Sequence, residues 1–236
     1  MPERPLVVVP AWNEEDSIAG VLSELHAVCP ALDVLVVDDG SHDGTAGVAS
    51  LHGASVVRLP FNLGVGGAMR AGFRYARREG YDAVVQVDAD GQHDCAYVKV
   101  LLDALGEADV VIGARFAGAG RYDAGRGPRR WAMSLLAGTL SRLAGTRLTD
   151  TTSGFRAAGA RALPIFADHY PAEYLGDTVE SLVIAIRAGC TVQQVPVVMR
   201  PRYAGRASQS PLRAAAYLVR AVTALGLALV RRRAFV

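Results

Sequence analysis

An α/β fold built on a mostly parallel sheet is predicted by three features of this 236-residue sequence. Short apolar runs alternate with segments whose apolar residues recur at helical spacing. The runs are apolar throughout, as strands covered on both faces require. Each of the first five runs is also followed by a stretch rich in polar groups or glycine, and open α/β sheets bind ligands outside the carboxyl ends of their strands. Five such stretches point to one shared crevice.

The elements follow in order. PLVVV (residues 5–9) is the first strand, leading into PAWNEE, and Ile18, Val21, Leu22, Leu25 and Val28 then mark a helix. DVLVV (33–37) is the second strand and ends in DDGSHDGT, where Asp43, Gly44 and Thr45 carry turn and helix-start chemistry. SVVRL (55–59) leads into NLGVGGA and a helix over about 65–79. The glycines there allow tight turns and close packing; the match to a dinucleotide fingerprint is weak, lacking the third glycine and following the wrong strand. DAVVQV (82–87) ends in DADGQH before a helix over about 94–106, and DVVIGA (109–114) runs into Arg115 and Phe116. The stretch GARFAGAGRYDAGRGP (113–128) has the composition of a mobile loop or of an ordinary surface connection.

With 51% hydrophobic and 20% charged residues, the chain can bury the core of one large domain. Its three cysteines, Cys29, Cys95 and Cys190, form no CxxC pair and no even framework, which argues against a zinc site or a disulfide scaffold and fits a reducing cytoplasm. The N-terminal apolar run is short and followed by acids, so it reads as a strand and not as a signal peptide. The net charge of +2 conceals an asymmetry: no Asp or Glu follows Glu180, while nine arginines do. An acidic front and a basic tail suggest two kinds of partner, or a tail that is simply solvated.

VVQVDADGQHD (84–94) holds the sharpest chemical signal. Asp88 and Asp90, two residues apart at a strand end, can converge their carboxylates on one Mg²⁺ or Mn²⁺, ions that take one or two carboxylates and fill other positions with phosphate and water. Gln92 adds a neutral oxygen. The alternative is a solvated turn in which one aspartate caps the next helix. His93 is read as a surface or hydrogen-bonded side chain and left out of the site. Asp38 or Asp39 can accept hydrogen bonds from a base or ribose.

PAWNEE, VVDDGSHDGT, LGVGGA, VVQVDADGQH, VIGARF, DTTSGFRA and RPRYAGRAS, in that order over roughly residues 5–210, resemble family 2 inverting glycosyltransferases of the GT-A fold, and among them the dolichyl or polyprenyl phosphate mannosyltransferases. The resemblance implies that Pro10, Trp12 and Glu14 line a nucleotide, that Val37 and Asp39 meet base and ribose, and that Asp88, Ala89, Asp90 and Gln92 hold metal and diphosphate. It also implies that Asp90, Arg115 and Arg202 serve catalysis, the two arginines at phosphate. In the mannosyltransferases the last motif usually ends in lysine after GxS; here Ser208 stands there, followed by Gln209, and Arg206 supplies the charge instead.

The function so implied is transfer of mannose or glucose from GDP-mannose or UDP-glucose to a polyprenyl phosphate. A lipid phosphate is already ionised near neutral pH, so no base is needed. Arginines at 115, 129, 130, 202 and 206 suit an encounter of two anions, although Arg129 and Arg130 also fit solvated loop charges. A saccharide or protein hydroxyl acceptor would need a base, and Asp177 or Glu180 in YLGDTVES (174–181) offers one. A nucleotide-sugar-binding module without turnover is the further alternative. Arg213, Arg220 and Arg231 share one stripe of a helix opposite Leu218, Val222, Leu225 and Leu229. Residues 211–236 thus form a helix suited to lying in a membrane interface, or to packing against protein, and too short to span a bilayer. Expected partners are a nucleotide sugar, a polyprenyl phosphate and a cytoplasmic membrane surface, and no nucleic acid.

Overall fold

A computed structural model describes residues 2–115, 128–172 and 177–201, with the side chains of 128–133 outside the description. The elements run β1 (Pro5–Ala11), α1 (Glu15–Val28), β2 (Asp33–Asp38), α2 (Thr45–Leu51), β3 (Ser55–Arg58), α3 (Gly64–Arg78), β4 (Ala83–Gln86), α4 (Tyr97–Ala104) and β5 (Val110–Ala114). They continue α5 (Pro128–Ala144), β6 (Arg156–Ala158), α6 (Ala162–His169), α7 (Asp177–Arg187) and β7 (Val192–Pro196). The strands form one sheet in the order β3-β2-β1-β4-β6-β5-β7. All pairs are parallel except those of β6, which runs antiparallel to both β4 and β5.

Two apolar layers explain why the strand sequences do not alternate. Leu6 and Val8, Leu35 and Val37, Val84, and Val110 and Ile112 face one layer, covered by α3, α5, α6 and α7 through Met69, Phe73, Leu136, Leu140, Leu163, Phe166, Val179 and Leu182. Their neighbours Val7 and Val9, Val34 and Val36, Val85, and Val111 face the other, covered by α1 and α4 through Ile18, Leu22, Leu25, Val98 and Leu101. With period two along each strand, a sheet wetted on neither side needs apolar residues at both parities.

The helix expected over 94–106 is shorter at its start, because Asp94 spends its Oδ1 on the Ala96 N–H in a turn before α4. Strands β6 and β7 were not legible as runs. β6 is three residues long, and β7, VQQVP, lies at the sheet edge with Gln193 and Gln194 half-buried. Strand order reverses beside β1, whose neighbours are β2 and β4, so the crevice lies between the carboxyl ends of β1 and β4. Among the described residues, no helix is long and apolar enough to cross a membrane. The arginine-bearing helix expected over 211–236 lies outside the described residues, as does most of the glycine-rich stretch, 116–127.

Candidate active site

The loops after β1 and β2 are stitched to each other. Asn13, in the left-handed region at φ 53°, donates its N–H to Ser41 Oγ at 2.9 Å, and its Oδ1 accepts the His42 N–H at 2.9 Å. Glu14 donates its N–H to Thr45 Oγ1 at 2.9 Å, while its carboxylate accepts the Ser17 hydroxyl at 2.6 Å. These bonds hold Glu14, half-buried like Pro10 in β1, and leave Trp12 exposed beside the crevice.

Asp38 and Asp39 are both buried and both engaged. Asp38 accepts the Ser41 N–H at 2.9 Å and pairs with Arg58 at 3.1 Å. Asp39 accepts the N–H groups of Leu63 and Gly64 at 2.7 and 2.8 Å, joining β2 to the start of α3. Burial raises the Asp39 carboxyl above its ordinary range, and those two N–H groups pull it part of the way back. Val37, expected at a base, has no exposed surface, and its side chain sits in the core behind the crevice.

The turn after β4 is built differently. Gly91 adopts φ 75°, the left-handed conformation that lets the chain double back after Asp90. The Asp90 carboxylate accepts the Gln92 N–H at 3.0 Å, which orients it, and Ala89 is buried between the two aspartates. The Asp88 side chain is 37% exposed. Its Oδ1 accepts a hydrogen bond from the Gln86 amide at 3.0 Å.

His93 is the residue the sequence reading undervalued. It is buried, stacked on Phe155 at 4.5 Å, and its Nδ1 accepts the Asp88 N–H at 2.9 Å. That bond places the ring proton on Nε2, which faces Asp88 Oδ2 at 3.5 Å. One imidazole therefore fixes the backbone of Asp88 and lies beside its carboxylate.

The wall opposite comes from the DTTSGFR segment. Arg115 is clamped by Asp150 (Nε to Oδ2 2.7 Å, Nη2 to Oδ1 2.9 Å), a fully buried partner that sequence reading did not assign. Gly154 faces Asp88: a Cβ there would come within 3.0 Å of the Gln86 amide nitrogen and 3.3 Å of Asp88 Oδ2. Next to it, Ser153 Oγ is buried without a hydrogen-bond partner among the described residues, an orphan polar atom beside the aspartate turn. Buried Arg156 donates to the carbonyls of Ser153, Thr151 and Thr178 at 2.6–2.7 Å and to Ser181 Oγ at 3.2 Å, binding the segment to the first turn of α7.

Asp177, at the start of α7, is buried, and burial pushes its carboxyl up to about 6. The Arg156 guanidinium opposes that rise and the charge of Asp88 adds to it. Glu180 is half-buried one turn further on. Gly66 of α3 makes room for this floor, since a Cβ would meet Pro171 O at 2.2 Å. Arg202, Arg206 and Ser208, and the side chains of Arg129 and Arg130, lie outside the described residues.

The donor set fits a hard divalent cation. Two aspartates two residues apart stand at the switch point, and among the described residues no group of three or more His, Cys, Asp or Glu could enclose a metal alone. Mg²⁺ and Mn²⁺ are commonly held so, by one or two carboxylates with substrate phosphate and water completing the shell.

Residues 6–165 match the model of "Glycosyl transferase family 2". An undecaprenyl-phosphate mannosyltransferase of Micrococcus luteus is 35% identical over 216 residues, covering 88% of each chain. A polyprenol monophosphomannose synthase of Mycolicibacterium smegmatis is 33% identical over 218 residues, covering 88% of this chain and 82% of the relative. Among solved structures, Mycobacterium tuberculosis glucosyl-3-phosphoglycerate synthase with Mn²⁺, UDP-glucose and phosphoglyceric acid superposes with a TM-score of 0.71 at 25% identity, covering 95% of this chain and 79% of that one. The mannosyl-3-phosphoglycerate synthase of Rubrobacter xylanophilus does so with a TM-score of 0.70 at 20% identity, covering 98% and 77%. The switch-point crevice, the aspartate turn and these likenesses agree: the chain belongs to glycosyl transferase family 2 and is a glycosyltransferase of the GT-A fold.

Proposed function

We propose that this enzyme transfers a mannosyl group from GDP-mannose to a polyprenyl phosphate at a membrane surface, with a divalent cation, UDP-glucose being the alternative donor. The observation that carries the reading is the Asp88–Asp90 turn at the β1/β4 switch point, in a chain that matches two lipid-phosphate mannosyltransferases over most of its length. Asp88, Ala89, Asp90 and Gln92 would hold Mg²⁺ or Mn²⁺ against the donor diphosphate, with Asp88 aimed by His93 and Gln86. When bound, the cation neutralises charge developing on the leaving diphosphate. Pro10, Trp12 and Glu14 would line the nucleotide. Asp39 would reach base or ribose only with the lone pairs that Leu63 and Gly64 leave it.

The acceptor phosphate arrives ionised, so the protein's task is to bring two anions together and exclude water. Arg115 serves there as an oriented donor whose charge Asp150 largely balances, which fixes its direction without making it a general anion trap. Net attraction would rest more on Arg129, Arg130, Arg202 and Arg206, with Ser208 at the acceptor phosphate. Residues 1–210 would then be the catalytic domain and 211–236 the membrane-lying helix.

A second reading rests on Asp177, whose carboxyl near 6 matches a general base for a saccharide or protein hydroxyl. Transfer of labelled sugar from GDP-mannose or UDP-glucose, with Mn²⁺ and polyprenyl phosphate in vesicles, decides. We expect a labelled lipid with GDP-mannose, and near-full turnover in Asp177→Asn. No lipid product with either donor would overturn the reading, and transfer to a saccharide or protein hydroxyl that is lost in Asp177→Asn would favour the second one.

A further inference from the structure

After β7 the chain does not leave the site. Val197 donates its N–H to Ala114 O at 3.1 Å, Met199 forms an antiparallel bridge with His93, and Arg200 donates its N–H to Gln92 O at 2.9 Å. The Arg200 guanidinium then joins two carboxylates, Nη1 to Glu24 Oε2 and Nη2 to Asp94 Oδ1, each at 2.7 Å. All three side chains are largely shielded, at 31%, 21% and 20% exposure. Each carboxylate is also fixed by the aspartate turn's own continuation: Glu24 accepts the Cys95 N–H at 3.1 Å and Asp94 the Ala96 N–H at 3.0 Å.

We propose that Arg200 is a positioning residue, clasping the end of β7 to α1 and to the turn that carries Asp88, His93 and Asp94. The route is physical and short. Arg200 holds Met199 against the backbone of His93, and the His93 ring holds Asp88 through its N–H and faces its carboxylate. Releasing the clasp leaves Glu24 and Asp94 as two half-buried like charges with no cation between them, and their repulsion falls on the residues next to His93. Residues that orient a metal ligand without touching the metal typically change affinity by about 10–100-fold when lost.

This inference rests on the donor reading above, and one titration separates the two. Mn²⁺·GDP and Mn²⁺·UDP are titrated calorimetrically into the full chain, with a thermal melt of each variant. Arg200→Met, which keeps the stem, is expected to weaken nucleotide binding about 10-fold, and Arg200→Lys to recover part of it. Asp94→Asn keeps the backbone contact and removes one charge, and is expected to weaken binding about 3-fold, below the full outer-shell loss, should Arg200→Met not fold. A solely structural role predicts a lower melting temperature with unchanged nucleotide affinity, and that result in Arg200→Met or Asp94→Asn overturns the inference while sparing the donor reading. A wild-type chain that binds neither nucleotide overturns both.

Discussion

Two acid pairs follow buried strands in this chain, and one of the four carboxylates, Asp88, is set apart from the rest. Asp38 and Asp39 are 0% and 3% exposed, and their oxygens are taken by Ser41, Arg58, Leu63 and Gly64. Asp90 is buried too, at 7%, and accepts the Gln92 N–H, but Asp88 keeps 37% of its side chain accessible, braced from behind by Gln86 and His93. Carboxylates spent on backbone N–H groups build loops, whereas carboxylates held in place with oxygens still facing the crevice can bind something. The difference lies in neighbours and not in the aspartates themselves.

That contrast can be broken most severely at Asp90. Asp90→Ala is expected to lower sugar transfer by about 1,000-fold or more, on the order of 4 kcal/mol of transition-state stabilisation, in a protein that still folds but melts lower because the Gln92 N–H loses its acceptor. A fully active variant would return the turn to a helix-capping role.

Asp177→Asn tests burial rather than ligation. Its folded-state carboxyl, raised from an ordinary 3.8 to about 6, holds its proton more tightly than in the unfolded chain. The resulting penalty is absent below about pH 4, grows between 4 and 6 and is complete above 6, so stability falls as pH rises through that window, by up to about 3 kcal/mol. Asn carries no such slope, and melting curves from pH 4 to 8 should show the variant's dependence flattened. Equal slopes in the two proteins would place Asp177 in a better-solvated setting.

Asp38→Ala should do the reverse of Asp90→Ala. It orphans the buried Ser41 N–H and is expected to cost about 2 kcal/mol in denaturant unfolding, with nucleotide binding retained by the folded protein. The smallest effect is expected from Gly154→Ala. The added methyl presses on Gln86 and Asp88, and transfer should fall about 10-fold, near the low end for residues that orient a metal ligand, with little change in melting temperature.

The same contrast marks what the sequence made legible. Strands buried on both faces announce themselves as apolar runs, and the turn after β4 stands out because Asp88 and Asp90 interrupt one. Fully apolar runs also imply that Val37 is buried, as it is. Gln86, Asp150, Ser153 and Arg156 lie in stretches that resemble family motifs, yet nothing in those stretches shows what each side chain touches. β6 is too short to show a period, and it meets β4 and β5 antiparallel across long sequence separations, so nothing local shows that Gly154 faces Asp88. His93 reads like any histidine after a turn until Phe155, 62 residues later, stacks against it.

The central claim is that the turn after β4, and not the pair after β2, anchors the metal and diphosphate of the sugar donor. Calorimetric titration of Mn²⁺·GDP and Mn²⁺·UDP into wild type, Asp90→Ala and Asp38→Ala measures it directly. Binding by wild type and folded Asp38→Ala, with none by Asp90→Ala, is the predicted result; wild-type affinity in Asp90→Ala would contradict it.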